Sequence, residues 1–238
     1  MIRSVRNYLR EKSVDSIPEV LFRCDLDDLK LFCQSSVKDK SGQTIDRMTE
    51  KHWLFLANLY NKTRTVIKFE ETDYYALLKQ VKKNAVVLKE TDLEIVQRAC
   101  ELISKKYNNS TVEFGFYHGD FTPWNTVIEN GKIKVFDFEY AKRTYPPYLD
   151  AVHYLLQKNF FVDGLNDANQ IYSSLKESSI WKKFDDRRSL EMVIMYLLEI
   201  INLYLSRTSE ESLDEKSRQK IRIEILEKAV TEYANLSR

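Results

Sequence analysis

Asn130-Gly131 constrains this chain more than any other pair of residues. It supplies the two positive-φ positions of a type I′ turn and so ties the β-type runs 125–129 and 132–136 into a hairpin. Counting back from the turn pairs Glu129 with Lys132 and sets Asn125 opposite Phe136, one step from Asp137. Asn125 and Asp137 therefore leave the hairpin at the same end. Strict alternation would aim their side chains at opposite faces, so a bend or a change of register is expected where the chain leaves the ladder.

The residues before the hairpin give that end its chemistry. His118-Gly119-Asp120-Phe121-Thr122-Pro123-Trp124-Asn125 places four residues between an acid and an Asn, and Asp137-Phe138-Glu139 begins twelve residues after the Asn. An acid, a short spacer, an Asn and a second acid is the arrangement with which phosphoryl-transfer sites position a hydroxyl and hold Mg²⁺. A carboxylate such as Asp120 can accept the hydroxyl proton, and hard oxygen ligands such as those of Asn125 and Asp137 suit Mg²⁺. Taken alone, Asp120 and Asn125 would equally suit a turn around Pro123. Phe121 and Trp124 are expected to pack the loop, with a substrate-lining role left open for either.

The same residues resemble the aminoglycoside phosphotransferase and choline kinase family, a branch of the protein-kinase-like fold. Its pattern is His-Gly-Asp, a short spacer, Asn, then a hydrophobic strand ending in Asp; here it reads HGDFTPWN and VFDFE. The resemblance implies that Asp120 is the catalytic base and His118 the brace of the catalytic loop. It implies that Asn125 and Asp137 bind the nucleotide through Mg²⁺, with Glu139 a looser correspondence to a further ligand. Downstream, Tyr145-Pro146-Pro147-Tyr148-Leu149-Asp150 resembles the segment whose Asp supports that loop from below. Upstream, Ile17-Pro18-Glu19-Val20-Leu21 and Leu29-Lys30-Leu31-Phe32 resemble the strand pair that runs into the hinge.

The implied fold is α+β and protein-kinase-like. Residues 1–36 would form a reduced N-terminal β-lobe, and 37–238 a mostly helical C-terminal lobe with a catalytic hairpin, carrying the catalytic loop at 118–125 and the metal-binding segment at 135–139. The implied activity is transfer of the γ-phosphate of ATP, or another nucleoside triphosphate, to a hydroxyl of a small molecule such as a sugar, an aminoglycoside-like compound or an amino alcohol, with Mg²⁺. One departure supports an alternative. The first glycine is Gly42, so no phosphate-covering glycine loop precedes the strand pair, and Lys12 and Lys30 are misplaced for the phosphate-pairing strand lysine. The alternative is a catalytically weak or inactive kinase-like protein that binds nucleotide or a partner.

Composition narrows the remaining possibilities. Thirty-seven basic against thirty-six acidic side chains give no net-charge support for nucleic-acid binding. The first residues do not resemble a secretory signal, which leads to a cytoplasmic expectation, and 192–205, broken by Glu199 and Asn202, is expected to be a core helix rather than a membrane span. Cys24, Cys33 and Cys100 are expected to be buried thiols in a reducing compartment. The acceptor pocket is expected from the helices after residue 139, whose acids Asp163, Asp167, Glu177, Asp185, Asp186, Glu191 and Glu199 are interleaved with basic residues.

Helices are predicted for 2–12, 46–62, 72–88, 92–106, 148–160, 166–177, 187–206 and 213–236, and strands for 19–24, 29–34, 112–116 and the hairpin. His52 is expected to be structural, His153 a packed or surface histidine rather than a ligand, and the charge run 209–220 a solvated helix start.

Overall fold

The computed structural model describes residues 2–14, 17–18, 20–26, 29–35, 44–207 and 213–236. The chain is α+β, its helices outweighing small antiparallel sheets. Helix α1 (Ile2–Glu11) buries Val5 and Leu9 and stacks Tyr8 on Phe116 with ring centres 6.0 Å apart. Its apolar face thus packs onto the body built by later elements.

Strands β1 (Val20–Leu26) and β2 (Leu29–Gln34) form an antiparallel hairpin that pairs with no other strand of the described residues. Leu21 and Phe22 are 58% and 55% exposed, so one stretch of this hairpin lies outside the core. That corrects the expectation for the thiols: Cys24 is exposed and Cys33 half-buried, and only Cys100, within the helical core, is buried.

The second sheet orders β3 (Thr65–Lys68), β4 (Thr111–Tyr117) and β7 (Lys142–Tyr145). Neither β3 nor β7 is predicted from the sequence. Strand β7 is held partly from outside its own run, because the Asp73 carboxylate accepts the amides of Arg143 and Thr144 while the Asp73 amide donates to the Thr144 hydroxyl. The third sheet is the predicted hairpin, β5 (Thr126–Glu129) with β6 (Lys132–Val135), in the register Glu129 to Lys132 and Thr126 to Val135.

Helices α2 (Glu50–Thr63), α3 (Asp73–Asn84), α4 (Glu90–Tyr107), α5 (Leu149–Phe161), α6 (Ala168–Lys176), α8 (Asp186–Leu205) and α9 (Leu213–Asn235) lie close to the predicted spans, and the short α7 (Ser179–Lys183) is additional. Helix α8 is buried on every face from Leu190 to Leu198, a stretch apolar but for the ion-paired Glu191 and the tip of Tyr196, and α3, α4, α5 and α9 pack around it. Truncating any one of its buried Leu, Ile or Met side chains to Ala would cost about 2–5 kcal/mol. No helix among the described residues is long and apolar enough to cross a membrane. The charge run 209–220 lies outside the described residues as far as 212, and from Leu213 it begins α9 with an exposed first turn.

Candidate active site

Strand β4 delivers the chain to His118, and the loop that follows must satisfy its own backbone inside the protein. Asp150, in the first turn of α5, does this: its carboxylate accepts the amides of His118 and Gly119 at 2.9 and 3.0 Å. Buried amides without such an acceptor would each cost about 1–3 kcal/mol. Burial nonetheless dominates the titration of Asp150 and pushes its carboxyl up to about 7 against the pull of those two bonds. Gly119 adopts φ +85°, and a Cβ there would stand 2.7 Å from the carbonyl oxygen and Cβ of Tyr140, so no other residue fits without displacing backbone.

His118 ties the loop to the hairpin. The Asp120 amide donates to its Nδ1 at 3.1 Å, which leaves the proton on Nε2 to donate to the Phe136 carbonyl at 3.0 Å. Burial pushes the ring down to about 3, so the imidazole is neutral at physiological pH. The ring thus bridges the loop at Asp120 and the hairpin at Phe136. Phe121, fully buried, stacks on Phe55 and keeps the loop seated on α2. Trp124 meets Phe161 edge-on at 5.8 Å but stays 43% exposed, so it only partly packs the loop.

Asp120 and Asn125 are brought into direct contact. Asn125 Nδ2 donates to the Asp120 carbonyl at 3.0 Å and to its Oδ2 at 2.6 Å. With the amide nitrogen turned toward Asp120, the hard carbonyl oxygen Oδ1 is left outside that contact. The Phe136 amide donates to the Asn125 carbonyl at 3.3 Å, which extends the expected register by one pair. Asp137 then turns left-handed, with φ +66°. That conformation is uncommon outside glycine and is tolerated best by Asn and Asp. It is the bend that alternation demanded and could not locate.

Burial raises the Asp137 carboxyl above its ordinary value, and the charges of Glu139 and Asp120 raise it further. None of the ion pairs among the described residues includes Asp137 or Glu139. A cation between the Asp137 carboxylate and the Asn125 oxygen would relieve that repulsion. Among the described residues no group of three His, Cys, Asp or Glu side chains is placed to hold a metal, so Glu139 is not gathered with Asp120 and Asp137 into a cage. Two protein ligands nonetheless suit Mg²⁺, which keeps waters and takes the rest of its shell from substrate phosphates.

The acids expected to line an acceptor pocket separate by role. Asp167 and Asp185 cap α6 and α8, Asp163 accepts a hydrogen bond from Lys158 at 2.7 Å, and buried Glu191 is consumed by Lys106, Arg188 and Tyr107. Glu199 alone of the set lines a cavity of about 330 Å³ that abuts Gly119, together with Tyr117, Tyr140, Lys142 and Tyr145. Tyr117 donates to the Glu199 carboxylate at 2.5 Å, yet burial outweighs that bond and pushes the carboxyl up to about 8.

A stability consequence follows from that shift. The unfolded chain ionises Glu199 near pH 4 whereas the folded chain holds the proton until about 8, so unfolding releases a proton between those values and stability falls as pH rises. Glu199→Gln, which keeps an acceptor for Tyr117, is expected to flatten that decline in thermal unfolding midpoints taken from pH 5 to 8. A slope equal to that of the unaltered chain would contradict the assignment.

One residue at the site escapes the sequence reading. His153 is packed, as expected, but its Nε2 lies 3.2 Å from Asp120 Oδ1 and its Nδ1 meets the Tyr196 hydroxyl at 3.0 Å. The signal was its spacing from Asp150: residues three apart share one face of α5, so a helix that presents Asp150 to the loop presents His153 as well. Lys30 lies on β2, where its backbone pairs with Asp25. Neither a family model, nor a curated protein, nor a solved structure matches the chain.

Proposed function

We propose that the chain is a small-molecule phosphotransferase of the protein-kinase-like fold, transferring the γ-phosphate of ATP or another nucleoside triphosphate to a hydroxyl. The observation that carries this reading is the contact between Asp120 and Asn125 at the open end of a hairpin that then turns left-handed at Asp137. Asp120 is one-quarter exposed, so an acceptor hydroxyl can reach its carboxylate. In the reaction the hydroxyl gives its proton to Asp120 while its oxygen bonds to the γ-phosphorus, and the bridging bond to the β-phosphate breaks to release the nucleoside diphosphate. Asn125 Oδ1 and Asp137 would hold Mg²⁺, which when bound neutralises the phosphate charge.

A second reading, a nucleotide-binding or interaction protein of weak or no activity, is favoured by the hairpin of β1 and β2, which pairs with no other strand among the described residues. Turnover decides between them. Incubation with Mg·ATP and pooled sugars and amino alcohols should yield ADP and a phosphorylated acceptor, and a folded chain that yields neither would favour the second reading.

A further inference from the structure

We propose that His153, backed by Tyr196, is a positioning residue that fixes the carboxylate of Asp120 for its work as proton acceptor. The inference rests on the phosphotransferase reading. Its basis is a chain of hydrogen bonds running from the core to the site. An ionised carboxylate only accepts, so the proton between His153 and Asp120 belongs to Nε2 of the imidazole. In a neutral imidazole Nδ1 is then the acceptor, a role that the Tyr196 hydroxyl, wholly buried on α8 and 3.0 Å away, can fill as donor. Both bonds point toward Asp120, and together they select one tautomer of His153.

The consequence is a carboxylate held at both oxygens. His153 donates to Oδ1 and Asn125 to Oδ2, so rotation of the group is opposed from two sides and each oxygen keeps one lone-pair direction for other partners. His153 is not a proton relay. Its Nε2 already carries hydrogen, so the proton that Asp120 takes from an acceptor hydroxyl has no place on that nitrogen and leaves through the exposed side of the carboxylate. The role is geometric and electrostatic, as for the outer partners that orient metal ligands in other sites. His153 sits on the same helix as Asp150, so one rigid element holds both the loop backbone and the base.

Two readouts on the full chain test this. His153→Ala is expected to lower kcat for Mg·ATP turnover by about 10–100-fold, the scale of a small misplacement of a reacting group. KM for ATP should stay within about twofold, because the lost interaction serves the chemical step and not the binding of nucleotide. His153→Gln, whose amide can donate to Oδ1, should recover much of that loss, and Tyr196→Phe should produce a smaller fall.

The chain has three histidines, so the imidazole nitrogens are assignable by NMR after ¹⁵N labelling. His153 is expected to be protonated at Nε2, with a hydrogen-bonded proton signal that Asp120→Ala removes. Unchanged kcat in folded His153→Ala, or a proton found on Nδ1 alone, would overturn the proposal. An unaltered chain that neither binds nor turns over Mg·ATP would overturn the phosphotransferase reading instead, and the NMR signal would still decide whether the hydrogen bond exists.

Discussion

Asp120→Asn is expected to lower ADP formation from Mg·ATP by about 10²–10⁴-fold, the usual contribution of a positioned general base. The substitution preserves size and removes basicity, so it strikes the proton-accepting role. It also alters the local hydrogen bonds. The carboxylate accepts from His153 at one oxygen and from Asn125 at the other, whereas an amide offers one oxygen and one NH₂, and one of the two donors must lose its partner. That loss should cost about 1–3 kcal/mol of stability, small enough to leave the chain folded. Affinity for Mg·ATP should be nearly unchanged, because Asn125 and Asp137, not Asp120, are the residues assigned to the cation. Turnover equal to that of the unaltered chain would remove Asp120 as base.

Asp150→Ala should be the most damaging single change at the site for stability. Two buried amides, His118 and Gly119, would lose their acceptor at once, for about 2–6 kcal/mol in total. In a chain of this size that corresponds to a fall of roughly 4–24 °C in the unfolding midpoint. Relief of the burial penalty on the carboxyl, visible in its shift up to about 7, offsets part of the loss at alkaline pH. Activity should disappear even where the protein remains folded, since the amides held by Asp150 set the path of the loop that carries Asp120. Asp150→Asn keeps one acceptor oxygen and should fall between the two. A midpoint unmoved in Asp150→Ala would mean that water or another group replaces the carboxylate.

The two predictions draw on residues of unequal legibility. The placement of Asn125 beside the strand that leads to Asp137 is legible because a turn that two residues specify fixes it, and the structure reproduces the pairing of Glu129 with Lys132 and of Asn125 with Phe136. The left-handed turn at Asp137 was not readable: alternation requires a bend there but cannot say which residue absorbs it. His153 is harder to read: its spacing from Asp150 shows only that the two share one face of α5, while its contacts with Asp120 and Tyr196 span 33 and 43 residues of chain.

Secondary structure divides along the same line. The long helices show their apolar period within their own residues, and their spans emerge within a few positions. Strand β7 has the weak β pattern Lys142-Arg143-Thr144-Tyr145 and exists because β4 and Asp73 hold it. Strand β3 did carry a local signal in the β-branched run Thr65-Val66-Ile67, too short beside α2 to stand out. The exposure of Cys24 has a related cause. A free Cys tends to be buried, but whether β1 and β2 have a covering layer is decided by tertiary packing.

The end of the hairpin is the proposed nucleotide–Mg²⁺ site. Calorimetric titration of the full chain with ATP, with and without Mg²⁺, tests it most directly, with Asp137→Ala as the paired variant. Saturable binding that requires Mg²⁺ and is lost or strongly weakened in Asp137→Ala is the predicted result. Absence of binding by a folded chain, or binding indifferent to both Mg²⁺ and Asp137, would contradict it.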